Sequence, residues 1–333
     1  MKAVQIKEAG GDFEVVDRDQ PTPADNEVLI KVEACGICHS DMFVKEGAFP
    51  GIEYPRVPGH EVIGIIEQAG SQAAGFKKGQ RVGVGWHGGH CFQCEPCRRG
   101  DFIDCENAKI AGISYDGGYA EYMVAPVEAL AAVPDDLKSE EAAPLLCAGI
   151  TTFNALRNSP ARGGDLVAVQ GVGGLGHLAI QYAKKMGFEV AAISSTDEKK
   201  NLAKDLGADH FISGDEPAEK LQALGGARVI LATAPSAKAI SKVVDGLGID
   251  GQLLIVAAPG EKIEVAPFSL IPGRKSIAGW PSGTAIDSED TLNFSNLSDV
   301  KPMIETFPLE KAAEAYDRMM ENKARFRVVL TMS

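Results

Sequence analysis

Apolar residues along the chain alternate with polar ones in some stretches and follow a helical period in others. The N-terminal stretch MKAVQIKEAGGDFEVV alternates like a β-strand that buries one face. Farther along, DLVAVQ contains an apolar run at Leu166–Val169 that is typical of a buried strand. Five apolar residues then repeat along one helical face: Leu175, Leu178, Ala179, Tyr182 and Met186. Gly187 ends this helix and Val190–Ile193 forms the next strand, so the segment predicts a strand, a loop, a helix and a strand.

A glycine-rich loop joins the first of these strands to the helix. The letters GVGGLG place Gly171, Gly173 and Gly176 at G-x-G-x-x-G spacing. In this setting the glycines permit a tight turn, the approach of a pyrophosphate to the helix N-terminus, and close helix packing. The later apolar runs ARVILATA and GQLLIVAAP predict further parallel strands of the same sheet. The pattern therefore predicts an α/β domain with a doubly wound parallel sheet that binds a dinucleotide.

The end of the second strand indicates which dinucleotide is bound. An Asp or Glu there would bind the ribose 2′-hydroxyl, whereas this chain has Ser194, Ser195 and Thr196. Hydroxyl groups with the ammonium group of Lys199 nearby suit a 2′-phosphate, which favours NADP(H) over NAD(H). Asp197 keeps NAD(H) as an alternative, because it lies only a few residues past the usual acidic position. A loop with no role in binding is the other alternative.

The length and the charge limit the classes of protein that this chain can form. At 333 residues it is longer than one hydrophobic core usually grows, so we expect two domains. Its formal net charge of −13 argues against nucleic acid and anionic membranes as partners. The N-terminus lacks the apolar core of a signal peptide and no apolar run could span a bilayer, so we expect a cytoplasmic protein. In that reducing compartment, seven cysteines indicate metal binding or catalysis before disulfides.

Four of the cysteines fall in the stretch CFQCEPCRRGDFIDC. They are Cys91, Cys94, Cys97 and Cys105. Three thiolates at this spacing can surround one side of a tetrahedral ion, and the fourth can close the site. A closed site is structural, so we expect a structural zinc in the lobe 91–105, with Arg98, Arg99 and backbone amides offsetting the thiolate charge. An iron–sulfur cluster and reduced cysteines without metal are the alternatives.

The other three cysteines are Cys35, Cys38 and Cys147. The first two lie in CGICHSD, and their C-x-x-C spacing is compatible with a zinc knuckle, a redox dithiol or part of an active site. In RVPGHEVIG, His60 and Glu61 follow a Pro-Gly turn. A catalytic zinc needs three protein ligands and one open position, and two cysteines with one histidine are among the sets that provide it.

Several motifs, in this order, resemble those of the zinc-dependent alcohol dehydrogenases in the medium-chain dehydrogenase/reductase superfamily: CGICHSD, PGHE, the four-cysteine lobe, LLCAGITTF and GVGGLG. The resemblance spans nearly the whole chain, from MKAVQI to FRVVL. It implies a GroES-like, β-rich catalytic domain formed by residues 1–148 and 286–333, and a Rossmann cofactor domain formed by residues 149–285. It also implies two zinc ions per chain, a small alcohol or aldehyde as the substrate, and a homodimer or homotetramer.

The resemblance implies which residues bind the catalytic zinc. The ligands would be Cys38, His60 and Cys147, while Cys35 would be a small buried residue that does not bind the metal. Glu61 matches a residue near the metal that serves as a transient ligand in the family.

The residues after the metal-binding cysteine of CGICHSD match substrate and cofactor contacts of the family. His39 would contact the cofactor pyrophosphate, Ser40 would bond the substrate oxygen, and Asp41 would orient His60. Arg327, in RFRVVL, resembles a C-terminal arginine that contacts the cofactor phosphates. The other cofactor-binding residues that we expect are Gly171, Gly173, Gly174, Leu175, Gly176, Ser194, Ser195 and Lys199.

One position departs from the family pattern. Many members have a histidine three residues after Ser40 that carries the proton to solvent, and this chain has Phe43 there. The cofactor ribose, a water or His39 would then complete the proton relay. By resemblance, Phe49 and Trp86 line the substrate pocket, where bulky aromatic side chains suit aromatic, allylic or aliphatic primary alcohols and aldehydes. Packing in the core is the alternative for both side chains.

The implied reaction is a reversible hydride transfer between a primary alcohol and a nicotinamide, with zinc as the Lewis acid. The C-terminal stretch is closest to the cinnamyl-type and broad bacterial branches of the family. Two alternatives are a zinc-free quinone or enone reductase of the same superfamily, which would lack these metal ligands, and a non-catalytic nucleotide-binding relative.

Overall fold

The structure is a computed structural model, and it describes residues 1–332. Its strands are β1 (Lys2–Ile6), β2 (Phe13–Asp17), β3 (Glu27–Ile37), β4 (Val62–Ala69), β5 (Arg81–Val84), β6 (His87–Gly89), β7 (Lys109–Ile110), β8 (Tyr122–Pro126), β9 (Leu130–Ala132), β10 (Leu166–Gln170), β11 (Glu189–Ser194), β12 (His210–Ser213), β13 (Ala227–Ala232), β14 (Leu247–Ile255), β15 (Ser276–Gly279), β16 (Ile304–Pro308) and β17 (Arg327–Thr331).

The helices are mostly short. They are α1 (Met42–Glu46), α2 (Glu95–Arg98), α3 (Ser139–Ala142), α4 (Ala148–Arg157), α5 (Gly176–Lys185), α6 (Lys200–Asp205), α7 (Pro217–Ala223), α8 (Ala237–Ser241), α9 (Pro267–Leu270), α10 (Ala285–Ser298) and α11 (Ala312–Met320). Within residues 1–332, no helix combines the length and the apolar character that crossing a membrane requires.

The chain divides into two compact units. Unit 1 comprises Met1–Ile150 and the chain from Gly283 onward, and unit 2 comprises Thr151–Ser282. The sequence led us to expect a division after residue 148 and before residue 286. Each observed boundary lies a few residues from the expected one.

Unit 2 contains a six-stranded sheet in the order β12-β11-β10-β13-β14-β15. Each neighbouring pair of strands is parallel. The strand order reverses between β10 and β13, and open α/β sheets bind ligands outside the carboxyl ends of the strands at such a point. This topology confirms the predicted doubly wound domain. The strands expected at Leu166–Val169 and Val190–Ile193 are the cores of β10 and β11.

The core of unit 2 explains why its strands are apolar almost throughout. All five residues of β10 are buried, so the strand shows a continuous apolar run and no alternation. Ala168, Ile230 and Leu253, from three neighbouring strands, belong to one buried cluster. The sheet therefore holds the loop after β10 on a rigid support.

Unit 1 is rich in β-structure, as expected for the catalytic domain. Its seven-stranded sheet has the order β16-β17-β3-β4-β5-β9, and β8 also pairs with β3. The long strand β3 thus contacts β17, β4 and β8. Register shifts after Leu29 and Val32 interrupt the β3–β4 ladder, and such irregularities let a strand bend. Val28, Ile30 and Met123 contribute to the main buried core of this unit.

The N-terminal alternation is a hairpin and not one strand. β1 and β2 pair antiparallel, with Ile6 opposite Phe13. Gly10, between them, has φ +77°, which glycine adopts at little cost. The expectation of a single strand was wrong here, because the alternation of apolar and polar residues resumes on the far side of the turn.

Candidate active site

Two strands of unit 1 bring distant segments of the sequence together. β3 and β4 pair antiparallel, with Cys35 opposite Val62. The chain therefore leaves β3 at the same end of the sheet at which it enters β4. Cys38, just after β3, lies beside His60 and Glu61, just before β4.

These residues and Cys147 form a compact group. Potential ligand atoms of Cys38, His60, Glu61 and Cys147 all lie within 4.8 Å of one another, and the two Sγ atoms are 3.5 Å apart. His60 Nε2 is buried and has no hydrogen-bond partner in the described chain. A buried nitrogen without a partner is costly, and an ion bound by two sulfurs and this nitrogen would remove that cost. The residues therefore fit a zinc ion.

A carboxylate fixes the orientation of the histidine ring. Asp41 Oδ1 lies 3.2 Å from His60 Nδ1, and both side chains are buried. Because Asp41 occupies Nδ1, the ring presents Nε2 as the free ligand atom. Asp41 ends a 3₁₀ turn that begins at His39, and the backbone N–H of Cys38 donates to Asp41 Oδ2 at 2.8 Å. This short turn places the ligand and the orienting carboxylate three residues apart.

The two thiols of the group have very different pKa values. Their mutual hydrogen bond holds the pKa of Cys38 well below its usual value and raises the pKa of Cys147 well above it. Burial raises the pKa of Glu61 to about 7, although the guanidinium of Arg327 favours the ionised carboxylate. A bound divalent cation would ionise both thiols, because a metal ion deprotonates a coordinating thiol outright.

Arg327 belongs to the same buried group. It begins β17, which pairs with β3 so that Val328 lies opposite Ile37. Its Nη2 donates to Glu61 Oε1 and, at 3.2 Å, to the carbonyl of Ile37. The sequence predicted a contact between Arg327 and the cofactor phosphates. The structure shows a carboxylate as the partner of this guanidinium, and the phosphate contact stays a prediction.

His39 and Ser40 lie on the 3₁₀ turn directly after Cys38. His39 is exposed and Ser40 is half-buried. Because the turn directly follows Cys38, it can present the hydroxyl of Ser40 and the imidazole of His39 at the edge of the metal group.

An aromatic cluster adjoins the histidine of the metal group. The ring centroids of Phe43, Phe49 and Trp86 are 6.1 to 6.5 Å apart. Trp86 also meets His60 edge-on, with the ring centroids 5.0 Å apart. Phe43 was noted in the sequence only as a missing proton carrier, and the structure packs its ring with Phe49 and Trp86 beside a buried apolar cluster. The substrate pocket at Phe49 and Trp86 stays a prediction. Hydrophobic periodicity gives no signal for Phe43, because α1 is too short to show an apolar face.

The four-cysteine lobe forms a second metal-binding group. Ligand atoms of Cys91, Cys94, Cys97 and Cys105 lie within 4.8 Å of one another. Backbone N–H groups donate to these sulfurs, and those of Gln93 and Cys94 lower the pKa of Cys91 to about 6. The side-chain amide of Asn107 donates to Cys91 Sγ at 3.6 Å.

The expected charge compensation in this lobe was only partly right. Backbone amides do donate to the sulfurs, as expected. Arg99, which we expected to offset the thiolate charge, instead pairs with Glu95 at 2.7 Å on the exposed face of α2. The spacing of four residues between Glu95 and Arg99 is the sequence signal for this pair, because a helix places such residues side by side.

Cys35 lies outside both metal-binding groups. Its thiol is fully buried and lies 3.6 Å from the carbonyl of Gly36. Burial raises the pKa of the Cys35 thiol well above its usual value, which makes it a poor nucleophile.

The glycine loop of unit 2 connects β10 to α5. Gly171 has φ +100°. A Cβ on Gly176 would overlap the carbonyl oxygen of Gly171, so the first turn of α5 can pack this closely only without a side chain there. A Cβ on Gly173 would meet no atom within 4 Å, which leaves its backbone open to a ligand. Gly174 and Leu175 complete the loop before the helix begins.

One of the residues after β11 contacts the same loop. Lys199 Nζ donates to the carbonyl of Val172 at 2.7 Å. Ser194, half-buried, ends β11, and Ser195 is exposed. Asp197 Oδ1 accepts a hydrogen bond from the hydroxyl of Ser213 at 2.7 Å.

Comparison with known proteins gives concordant matches over both units. Family models described as "Alcohol dehydrogenase GroES-like domain" and "Zinc-binding dehydrogenase" match residues 24–135 and 174–297. Alcohol dehydrogenase notN of Aspergillus sp. (strain MF297-2) is 44% identical over 333 residues, which cover 99% of this chain and 98% of the relative. An alcohol dehydrogenase of Geobacillus stearothermophilus is 38% identical over 336 residues, 100% of this chain and 99% of the relative. A structure of a cinnamyl alcohol dehydrogenase from Sorghum bicolor superposes with a TM-score of 0.90 at 31% identity, covering 99% of this chain and 97% of that one.

Proposed function

The chain belongs to the zinc-dependent alcohol dehydrogenases of the medium-chain dehydrogenase/reductase superfamily, and on this premise we propose that it interconverts aromatic, allylic or aliphatic primary alcohols and their aldehydes with NADP(H). The observation that carries the proposal is the group formed by Cys38, His60 and Cys147, in which a buried ring nitrogen has no partner in the described chain. Ser40 is adjacent to this group in the sequence.

Two sets of residues would hold the metal ions. Cys38, His60 and Cys147 would bind the catalytic zinc, and Cys91, Cys94, Cys97 and Cys105 would bind the structural one. When bound, zinc supplies Lewis acidity at the substrate oxygen, and the nicotinamide supplies the hydride acceptor. Asp41 holds His60 in the ligating orientation. Glu61 Oε2, buried and without a partner in residues 1–332, is available to the metal while substrate and product exchange.

Ser40 accepts the proton from the substrate hydroxyl. Its half-buried side chain lies on the turn that starts directly after Cys38, so it can face the substrate oxygen while its neighbour binds the metal. The exposed His39 on the same turn binds the pyrophosphate of the coenzyme and is one route by which the proton leaves. Phe43 cannot serve in that relay, because its ring has no titratable group.

The residues after β11 favour NADP(H). Asp197, the residue that would bind a ribose hydroxyl in an NAD(H) enzyme, already accepts a hydrogen bond from Ser213. Lys199 reaches the carbonyl of Val172, so its ammonium group lies beside the glycine loop. Ser194 and Ser195 supply hydroxyl groups at the end of the strand. A 2′-phosphate would thus meet one cation and two donors there.

The aromatic cluster supports flat substrates. Phe43, Phe49 and Trp86 form one cluster, and Trp86 contacts the proposed ligand His60. Aromatic rings pack edge-to-face or offset on other π-systems, which favours benzylic and cinnamyl-type alcohols over bulky branched ones. The similar structure of a cinnamyl alcohol dehydrogenase points to the same class.

Initial rates of benzaldehyde and cinnamaldehyde reduction test this function, with NADPH and NADH compared at equal concentration. We expect turnover of both aldehydes, faster with NADPH. Zinc analysis on the same sample should give two ions per chain, falling to one in Cys147→Ser. A zinc content unchanged by this substitution would overturn the metal assignment. Turnover of quinones or enones but of neither aldehyde would instead favour a reductase of another branch.

We also propose that the chain forms a homodimer or homotetramer, as members of this family do. Light scattering coupled to size-exclusion chromatography measures this directly. A monomer at micromolar concentration would contradict it.

A further inference from the structure

A tyrosine of unit 1 contacts the carboxylate that orients the histidine of the metal group. Tyr119 lies just before β8, and its side chain is fully buried. Its hydroxyl donates to Asp41 Oδ2 at 2.8 Å. A buried hydroxyl needs a partner, and a carboxylate is the strongest acceptor that a protein offers. The hydrogen bond connects positions 78 residues apart in the sequence.

The two oxygens of Asp41 have separate partners. Oδ2 accepts from the backbone N–H of Cys38 and from the hydroxyl of Tyr119, both at 2.8 Å. Oδ1 faces His60 Nδ1 at 3.2 Å. Two donors on one oxygen fix the rotation of the carboxylate, so the other oxygen points to the histidine.

The two donors on Oδ2 act differently. The N–H of Cys38 belongs to the same short turn as Asp41, so it moves with the carboxylate. The ring of Tyr119 is anchored elsewhere, in the main buried core of unit 1. A Cβ on Gly59 would overlap that ring, so the segment just before His60 packs directly against it. Tyr119 therefore ties the turn to the body of the unit.

We propose that Tyr119 is a positioning residue for the metal site, and that its hydroxyl holds Asp41 in the rotation that directs His60 Nε2 to the ion. The role rests on the proposed function, because it presumes that Cys38, His60 and Cys147 bind zinc. Loss of the hydroxyl leaves Oδ2 with one donor, and the carboxylate then turns more freely. The histidine loses part of its fixed orientation and the metal leaves faster.

The test is the substitution Tyr119→Phe, which removes one oxygen and keeps the ring in place. Tyr115→Phe is the matched control, because Tyr115 also lies largely out of solvent but donates to the carbonyl of Gly88 at 3.0 Å. The readouts are the rate at which a chelator removes each zinc ion, and the visible absorption spectrum after cobalt replaces the catalytic zinc. Loss of a direct partner of a metal-binding histidine costs 10–100-fold in affinity, so we expect about 10-fold faster release for a contact one step farther out.

We expect Tyr119→Phe to speed the release of one zinc ion per chain and to shift the cobalt spectrum, while the second ion and Tyr115→Phe behave as in the unchanged protein. Equal release rates and spectra in Tyr119→Phe and the unchanged protein would overturn the role. So would a lower melting temperature with no change in either metal readout, which would mean that Tyr119 contributes only to packing.

A double-mutant cycle separates this role from a general loss of stability. Tyr119→Phe should have little further effect on zinc release in an Asp41→Asn background, because the two residues act through one contact. Fully additive effects would overturn the role. Failure of the proposed function looks different: an unchanged protein that binds only one zinc ion, or that keeps two after Cys147→Ser, would remove the metal site on which the role depends.

Discussion

Gly36 lies directly against the carboxylate of Glu61, and a Cβ on residue 36 would overlap Glu61 Oε2. The backbone N–H of Gly36 also donates to the carbonyl of Glu61 at 2.9 Å. Glycine is therefore required at position 36 because the Glu61 side chain occupies the space that a Cβ would need, and not because of the backbone angles of Gly36. It leaves room for Glu61 to turn inward, where it meets Arg327.

We predict that Gly36→Ala disrupts the metal group. The added methyl group displaces Glu61 or shifts β3, so we expect the free energy of unfolding to fall by about 1–3 kcal/mol, with a loss of alcohol turnover. Thermal unfolding and initial rates measure the two effects. Gly260→Ala is the control, since a Cβ there meets no atom within 4 Å. If both variants behave alike, the close approach to Glu61 has no role.

The hydroxyl of Ser40 gives a second prediction. A positioned acid–base group contributes about 10²–10⁴-fold to a rate, so Ser40→Ala should lose at least about 100-fold in kcat. Ser40→Thr keeps a hydroxyl at the same position and should retain most of the activity. The zinc content of both variants should stay at the value of the unchanged protein. Equal turnover in all three proteins would remove Ser40 from the proton transfer.

Lys199 and Lys200 provide a matched pair for coenzyme choice. Lys199 reaches the glycine loop, whereas Lys200 is exposed and begins α6. A hydrogen bond to a charged group is worth about 1.5–3 kcal/mol, so Lys199→Ala should raise KM for NADPH by about 10-fold or more. KM for NADH should change much less, and Lys200→Ala should change neither. An equal rise for both coenzymes in Lys199→Ala would show that this lysine supports the loop and does not read the 2′-phosphate.

The buried His87, with His90 beside it, predicts a pH dependence of stability. Burial is the main cause that lowers the pKa of His87 to about 4. The neighbouring His90, whose Nδ1 lies 3.2 Å from His87 Nε2, also lowers this pKa, and Asp287 raises it by a smaller amount. The folded chain thus binds this proton less tightly than the unfolded chain. The stabilisation is fully present above pH 6.5 and is lost as the pH falls through 6.5 toward 4, on the order of 2 kcal/mol at pH 5.

Urea unfolding at pH 7 and pH 5 measures this loss. His87→Gln should reduce the difference between the two pH values, because glutamine does not titrate. His210→Gln is the control, since His210 is partly exposed and pairs with Glu189 at the surface. The same pH difference in His87→Gln and the unchanged protein would contradict the prediction.

The features that could be predicted from the residues alone lie within short segments. The strand, glycine loop and helix from Leu166 to Lys185 occupy consecutive positions, and the structure has them almost as expected. The cysteines of the lobe 91–105 are also close in sequence, and their sulfurs meet. The hairpin at the N-terminus was missed because a period-2 pattern does not report where a strand turns back.

The metal group of unit 1 was harder to predict. Cys38, His60 and Cys147 come from three separate segments, and C-x-x-C spacing alone left a redox dithiol as a possibility. The family resemblance singled out these residues, and the structure brings them together. The contacts of Asp41 with Tyr119 and of Gly36 with Glu61 had no signal in the sequence, because nothing near either residue specifies a partner so far along the chain.

The sequence by itself determined the strand, glycine loop, helix and strand that begin at Leu166 and the four-cysteine lobe, since neighbouring residues fix periodicity, turns and short metal-binding loops. Only the tertiary structure decided that Arg327 pairs with Glu61, that Phe43 joins Phe49 and Trp86, and that Tyr119 contacts Asp41. The pairing of Arg327 with Glu61 depends on the register of β3 with β4 and β17, because a slip of one residue would turn Arg327 to the opposite face of the sheet. The other two contacts join turns, loops and a short helix that are distant in sequence, so only the fold of unit 1 brings them together.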